Sequence, residues 1–260
     1  GMQALRNNTT GTENTALGVA AINVSTTGSR ITGVGYRALV ANTTADNNTA
    51  VGAYALDAAT TGGNNVGVGN SALGANTTAA ANVAVGAFAQ AATTTGNYNT
   101  AVGYQSLDAN TTGTKNTAIG MQALTAATTA DDNTGIGYNA LGSSTTGNRN
   151  TALGAYAGDN ITTAIQNVAV GYAALDTQTT GSWNVAVGGY SLQDSITSWN
   201  TAVGYYAMYA NTTGTKNVGI GYSALSAATT ASNNTALGYE ALTACTGGSN
   251  TAVGDRAGTA

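Results

Sequence analysis

A chain of 260 residues with seven Lys and Arg, eleven Asp and Glu and a net charge of −4 lacks a basic footprint for nucleic acid; Arg6, Arg30, Arg37, Lys115, Arg149, Lys216 and Arg256 are scattered. Charged residues are 7% and apolar residues 42%, which excludes the composition of disorder, and no stretch is apolar enough for membrane insertion. There is no His, no Pro and one Cys, Cys245, so no disulfide forms within the chain and the commonest general base and metal ligand are missing.

A short phrase, Asn-Thr-Ala-Val-Gly at Asn48 to Gly52, organises the rest. With small changes it starts at Asn14, Ile31, Asn48, Asn65, Asn82, Asn99, Asn116, Asn133, Asn150, Asn167, Asn184, Asn200, Asn217, Asn234 and Asn250. Twelve of the fourteen intervals are 17 residues; 184 to 200 and 234 to 250 are 16. A fixed period of this kind predicts a solenoid rather than a globular domain. The chain opens on Gly1-Met2-Gln3-Ala4-Leu5, repeated at Gly120 to Leu124, and closes partway through a coil. Residues 1–260 therefore read as a single repeat array cut from a longer solenoid.

Aligned coils turn each position into a column, with the Asn as position 1. Position 2 is Thr or Val, position 3 Ala or Gly, position 4 Val, Ile or Leu, and position 5 always Gly. These predict a short strand with positions 2 and 4 on one face, assigned to the coil interior, ended by a Gly with positive φ or a close backbone approach. Position 6 prefers Tyr, position 8 is Ala or Ser, and position 9 is Leu, Ile or Met in twelve copies, departing at Gln90, Gly158 and Gly258. Positions 6 to 9 are predicted as a second short strand whose aliphatic end joins the core. Positions 7 and 17 vary freely and read as solvent-facing.

The Thr-Thr-Gly or Thr-Thr-Ala of positions 13 to 15 reads as the outer edge of the coil. Both short coils lose their residue there, and length variation belongs in exposed segments. The Asn column suits side-chain ladders between coils or a corner bonded to its own backbone, both structural roles. Gly and Thr-Thr-Gly return too often for a helix of a dozen residues. The predicted fold is all-β, a parallel β-solenoid or β-roll of about fifteen 17-residue coils, roughly 70 Å long at about 4.8 Å per coil.

Each coil is expected to bury about three aliphatic or β-branched side chains worth about 1.5–3 kcal/mol each, against an ordering cost on the order of 25 kcal/mol per coil. So thin a margin predicts a homo-oligomer, packed along the small residues of positions 3 and 8. The alternative is that those residues are small because the interior is narrow.

The phrases Val168-Ala169-Val170-Gly171, Val185-Ala186-Val187-Gly188 and Thr117-Ala118-Ile119-Gly120 resemble the head repeats of YadA-like trimeric autotransporter adhesins. The longer phrase Asn99 to Leu107, followed by Asn110 to Gly113, resembles repeats of phage tail-fibre-type proteins. The resemblance covers essentially the whole chain. It implies a left-handed β-roll, a trimer, and a stiff rod outside the cell, on a cell surface or a virion tail. The repeat here is richer in Thr and Asn than the adhesin heads.

No catalytic, cofactor or metal residues emerge. Cys245 has no His partner, the only adjacent carboxylates are Asp131 and Asp132, and no Gly-x-Gly match opens a helix. A non-enzymatic function is expected: an extracellular tail-fibre or surface-adhesin shaft or head, or else a purely structural filament. Exposed aromatics supply one binding hypothesis. Trp183 and Trp199 share one column, Tyr190 and Tyr206 another; they either contact a cell-surface glycan or receptor, or stack along a ladder. The Thr columns raise a remote alternative, ice binding, with one Thr of each adjacent pair facing out. The sequons at Asn42, Asn76 and Asn110 share a column assigned to the outer arc, where they could carry glycans.

Overall fold

The computed structural model describes residues 1–259 and falls into two compact units, Gly1–Asp132 and Asn133–Ala260. Each unit is a parallel β-solenoid. The first holds seven three-residue strands, from β1 (Thr15–Leu17) to β7 (Thr117–Ile119); the second holds eight, from β8 (Thr134–Ile136) to β15 (Thr251–Val253). Among the described residues there is no helix. Within each unit every strand pairs in parallel with the strand of the next coil, position for position, as in Thr49↔Val66 and Val168↔Val185. The sequence period therefore becomes the spatial register.

Strand bonds are only part of the ladder. Position 2 donates to the next coil's position 1 (Thr32 N–H to Asn48 O, 2.9 Å), while position 5 donates backwards to position 4 (Gly35 N–H to Leu17 O, 2.8 Å). Positions 9, 11 and 13 donate forwards, and positions 7 and 17 backwards. Since coils bond in both directions around most of their circumference, a Pro would orphan an acceptor in a neighbouring coil.

The Gly of position 5 meets both expectations at once. Gly103 has φ 138°, and a Cβ there would stand 2.4 Å from the Gly120 carbonyl oxygen. The same close approach recurs along the column, so the repeat tolerates nothing larger.

Three local expectations are corrected. The strand's inward residue is position 3, not positions 2 and 4: Ala50, Ala84, Ala101 and Ala186 are fully buried, whereas Val51, Val85 and Ile119 are exposed. The cause is the narrow lumen. The position-9 side chain arrives from the opposite wall and fills it; a Cβ on Gly33 would lie 2.7 Å from Ile22 Cγ1, and one on Gly219 2.8 Å from Met208 Cγ. The small columns at positions 3 and 8 thus line the lumen and offer no outer surface to a second solenoid.

Positions 6 to 9 form no second strand. They are a run of turns in which positions 7 and 9 adopt left-handed backbone, as in Arg37 (φ 58°) and Leu39 (φ 53°). This breaks the alternation of a strand, so positions 8 and 9 both face inward; Ala38 and Leu39 are fully buried. The expected core role of position 9 holds.

The outer arc is also narrower than predicted. Position 14 is exposed, but positions 12 and 15 turn inward, and the sequon residues Asn42, Asn76 and Asn110 sit at position 12 with no exposed surface. Asn42 Nδ2 and Asn110 Nδ2 donate to Ala45 O (3.2 Å) and Gly113 O (3.1 Å) across their own turns. A glycan on these side chains is incompatible with the folded coil. In the short coil after Asn184 the Thr197 carbonyl takes the place of position 15, accepting from Asn184 Nδ2 at 2.6 Å, so the residue lost comes from the exposed part of the arc.

The Asn column lies inside. Asn48 Nδ2 donates to Gly62 O of its own coil (2.8 Å), while its Oδ1 accepts the Asn65 N–H of the next (2.9 Å). One side chain thus closes a coil and joins it to its neighbour, satisfying buried polar groups that would otherwise be costly.

Candidate binding surfaces

With positions 2 and 4 turned outward, the strand face becomes an apolar surface. In the first unit it carries Leu17, Val51, Val85 and Ile119, and in the second Leu153, Leu237 and Val253, all exposed, between columns of Thr and Val. In-register pairing sets these residues in unbroken rows. Contiguous exposed aliphatics of this kind mark interaction surfaces rather than scattered surface residues.

A second surface follows the turn at positions 6 and 7. In the second unit nine tyrosines join through successive ring contacts, from Tyr138 and Tyr156 (5.1 Å) through Tyr172 and Tyr190 (5.3 Å) to Tyr222 and Tyr239 (5.2 Å). The predicted pair Tyr190 and Tyr206 is part of it, stacked at 5.2 Å, with Tyr205 wedged against Tyr206 at 4.3 Å. The hydrogen bond with Tyr206 is the main cause that pushes the Tyr205 phenol up to about 12. Tyr190 and Tyr206 are legible in the sequence as one column, but the joining of positions 6 and 7 into one surface is not, because a strand would point them apart.

Trp183 and Trp199 are brought together too. Their rings stack at 5.6 Å and 3°, and Trp183 Nε1 donates to Gln166 Oε1 at 2.9 Å. Both are exposed, at a different corner of the coil from the tyrosines.

Carboxylates accompany the tyrosine edge at position 10. Asp57, Asp108, Asp159 and Asp176 all have carboxyls held above the usual range, chiefly by burial. In the sequence they are 17 or more residues apart and carry no signal; the stack brings Asp159 and Asp176 into neighbouring coils. Asp131 instead accepts from Thr114 N–H at 2.6 Å, as Asp46 does from Ser29 N–H at 2.7 Å, both backbone-capping roles.

The Thr pairs divide as the sequence suggested. Position 13 turns its hydroxyl to the next coil's carbonyl (Thr43 Oγ1 to Thr60 O, 3.1 Å), leaving position 14 as the outward row. Cys245 lies at position 12, its sulfur 3.2 Å from Asn250 Nδ2. Among the described residues no group of three or more His, Cys, Asp or Glu could hold a metal ion, and no helix is long and apolar enough to cross a membrane. No family model, curated protein or solved structure matches the chain.

Proposed function

We propose that the chain is a non-enzymatic segment of an extracellular fibre or surface adhesin, a shaft or head that spaces or mediates attachment to a cell surface, built from several copies of itself. The observation that carries this reading is the apolar strand face. Every coil turns two side chains outward there, in rows without charge, and a second copy of the same face is the simplest cover for them. The repeat's resemblance to trimeric adhesin heads and tail fibres makes three the favoured number of copies. A trimer would also add apolar burial to a coil whose own lumen holds mostly Ala and one Leu.

Light scattering on the purified chain tests this directly. The expected mass is three times the 25.4 kDa of one chain. Val85→Asp, on an outward site that leaves the lumen untouched, is expected to shift the mass towards that of a single chain while the far-ultraviolet circular dichroism is retained. A stable wild-type monomer at micromolar concentration would overturn the assembly. The tyrosine ridge favours attachment over a purely structural filament; unchanged cell binding after loss of both the ridge and the Trp pair would favour the filament.

A further inference from the structure

The tyrosine edge contains a notch. Position 7 is Tyr156 in one coil and Tyr190 two coils on, but the residue between them is Ala173. Their backbones stand about 10 Å apart, two coil spacings, and the missing side chain leaves a cavity whose floor is Ala173. Tyr172 forms its third aromatic wall, with ring centroids 6.0 Å from Tyr156 and 5.3 Å from Tyr190. Asp159 and Asp176 line the remaining side together with Gln193.

The rings and carboxylates of this notch call for a cation that can donate hydrogen bonds. Tyrosine faces attract cations through the negative face of the ring. Asp159 is desolvated and repelled by Asp176, and Asp176 is desolvated and repelled by Asp194, so both carboxyls sit above their usual range. Asn139 donates to Asp159 at 2.6 Å, and Asn160 (3.4 Å) and the Gln193 side chain donate to Asp176, but none brings a charge. Gln193 Oε1 is a buried acceptor without a partner. No Lys or Arg lines the cavity.

The chain itself shows what such an edge accepts. In the first unit Arg37, at position 7, places its guanidinium 5.9 Å from the Tyr54 ring centroid, and its charge acts on the position-10 carboxyl of Asp57. Near the end of the second unit Arg256, again at position 7, lies 5.5 Å from the Tyr239 centroid and bonds Glu240 at 3.0 Å. Twice, then, tyrosine and carboxylate on this edge are met by a guanidinium from the same column. At Ala173 the tyrosines and carboxylates are present and the cation is not.

We propose that the notch over Ala173 is a binding site for a guanidinium or alkylammonium group carried by a partner, held between Tyr156, Tyr172 and Tyr190 and neutralised by Asp159 and Asp176. Arginine is the favoured bearer, because its planar cation both stacks on rings and forks to carboxylates. The site does not depend on the chain being part of a fibre.

Calorimetric titration of the full chain with three probes tests this: a capped Gly-Arg-Gly peptide, the same peptide with citrulline, and tetramethylammonium. The arginine peptide is expected to bind and the citrulline peptide, equal in shape but uncharged, at least tenfold more weakly. Tetramethylammonium binding as tightly as the arginine peptide would assign a small cation or headgroup; much weaker binding would assign a basic polypeptide. The double variant Asp159→Asn/Asp176→Asn should lose at least tenfold in affinity. Ala173→Arg supplies an internal guanidinium on a left-handed backbone (φ 49°) like that of Arg37, and should abolish binding while the coil stays folded. Equal binding of the arginine and citrulline peptides, undiminished binding by Ala173→Arg, or no binding of either cation by the wild type would overturn the site.

Discussion

Residues 1–132 and 133–260 are built from the same coil, yet their turn edges differ. Both units close their coils with a buried Asn, fill the lumen with Leu against Ala, and space their coils with the same Gly. The first unit carries four tyrosines, with one Tyr–Tyr pair, Tyr36 and Tyr54, and one Phe–Tyr pair, Phe88 and Tyr104. The second carries nine tyrosines in one continuous ridge and both tryptophans. Ring contacts of this kind add about 0.5–1.5 kcal/mol per pair beyond the area they bury. The first unit forms its coils with few of them, so the coil does not require the ridge. The frame is common property, and what distinguishes the units is written at positions 6, 7 and 10.

The largest expected effect should erase that distinction. Gly103→Ala in the first unit and Gly171→Ala in the second each force a Cβ to within 2.4–2.6 Å of the next coil's backbone at φ 138° and 128°. Each should cost more than about 4 kcal/mol, beyond the usual range of single substitutions. Thermal unfolding followed by circular dichroism would measure both; a clear difference between them would break the claim of one shared frame.

A smaller effect should separate the units. Position 9 departs from an aliphatic residue at Gln90 in the first unit and at Gly158 and Gly258 in the second. Gln90 is fully buried, donates to Val83 O at 2.9 Å, and leaves its Oε1 unpaired. Gln90→Leu should therefore stabilise, by about 1–2 kcal/mol, by removing an unsatisfied acceptor and restoring the lumen's usual residue. Gly158 differs because Ile161, at position 12, already fills its space; an added Cβ would meet Ile161 Cδ1 at 3.0 Å and Leu141 Cδ2 at 3.1 Å. Gly158→Leu should destabilise by about 1–3 kcal/mol through overpacking. Chemical denaturation of the two variants gives the signs, and equal signs would refute the packing account.

The smallest effect is one of pH. Asp57, Asp108, Asp159 and Asp176 have folded pKa values above the ordinary carboxylate value, so the folded state binds protons more readily than the unfolded. Their stabilising contribution is complete below about pH 3.9 and is lost as pH rises through the raised values. With these groups only half-buried, solvent screening keeps the gain small. Acidification from pH 7 towards pH 4 should raise the melting temperature slightly, and less so in Asp159→Asn/Asp176→Asn. A fall in the wild type that the double variant abolishes would reverse the assignment for this pair.

The period, the all-β coil, the Gly column and the inward position 9 were legible in the sequence, because each recurs in nearly every copy. The facing of the strand was not. Alternation in three residues allows two parities, and Thr-Ala-Val reads as inward at its larger side chains until the Leu from the opposite wall is known to occupy the lumen. The left-handed backbone at positions 7 and 9 was hidden for another reason: Tyr, Arg and Leu occupy it where Gly or Asn would have announced it. That missed turn concealed the ridge, since it is what brings positions 6 and 7 to one edge. The carboxylates of the notch were invisible singly and acquire meaning only through coil-to-coil stacking.

The buried Asn ladder gives each unit a direction as well as a clasp. Asn65 Oδ1 receives the amide of Asn82, and Asn82 Oδ1 that of Asn99; in the second unit Asn150, Asn167 and Asn184 repeat the pattern. Backbone bonds between coils run both ways, but these side-chain carbonyls all point towards the following coil. Aligned amide dipoles add. Along each unit the ladder thus contributes a dipole of one sense, with side-chain oxygens offered forwards and backbone N–H groups backwards.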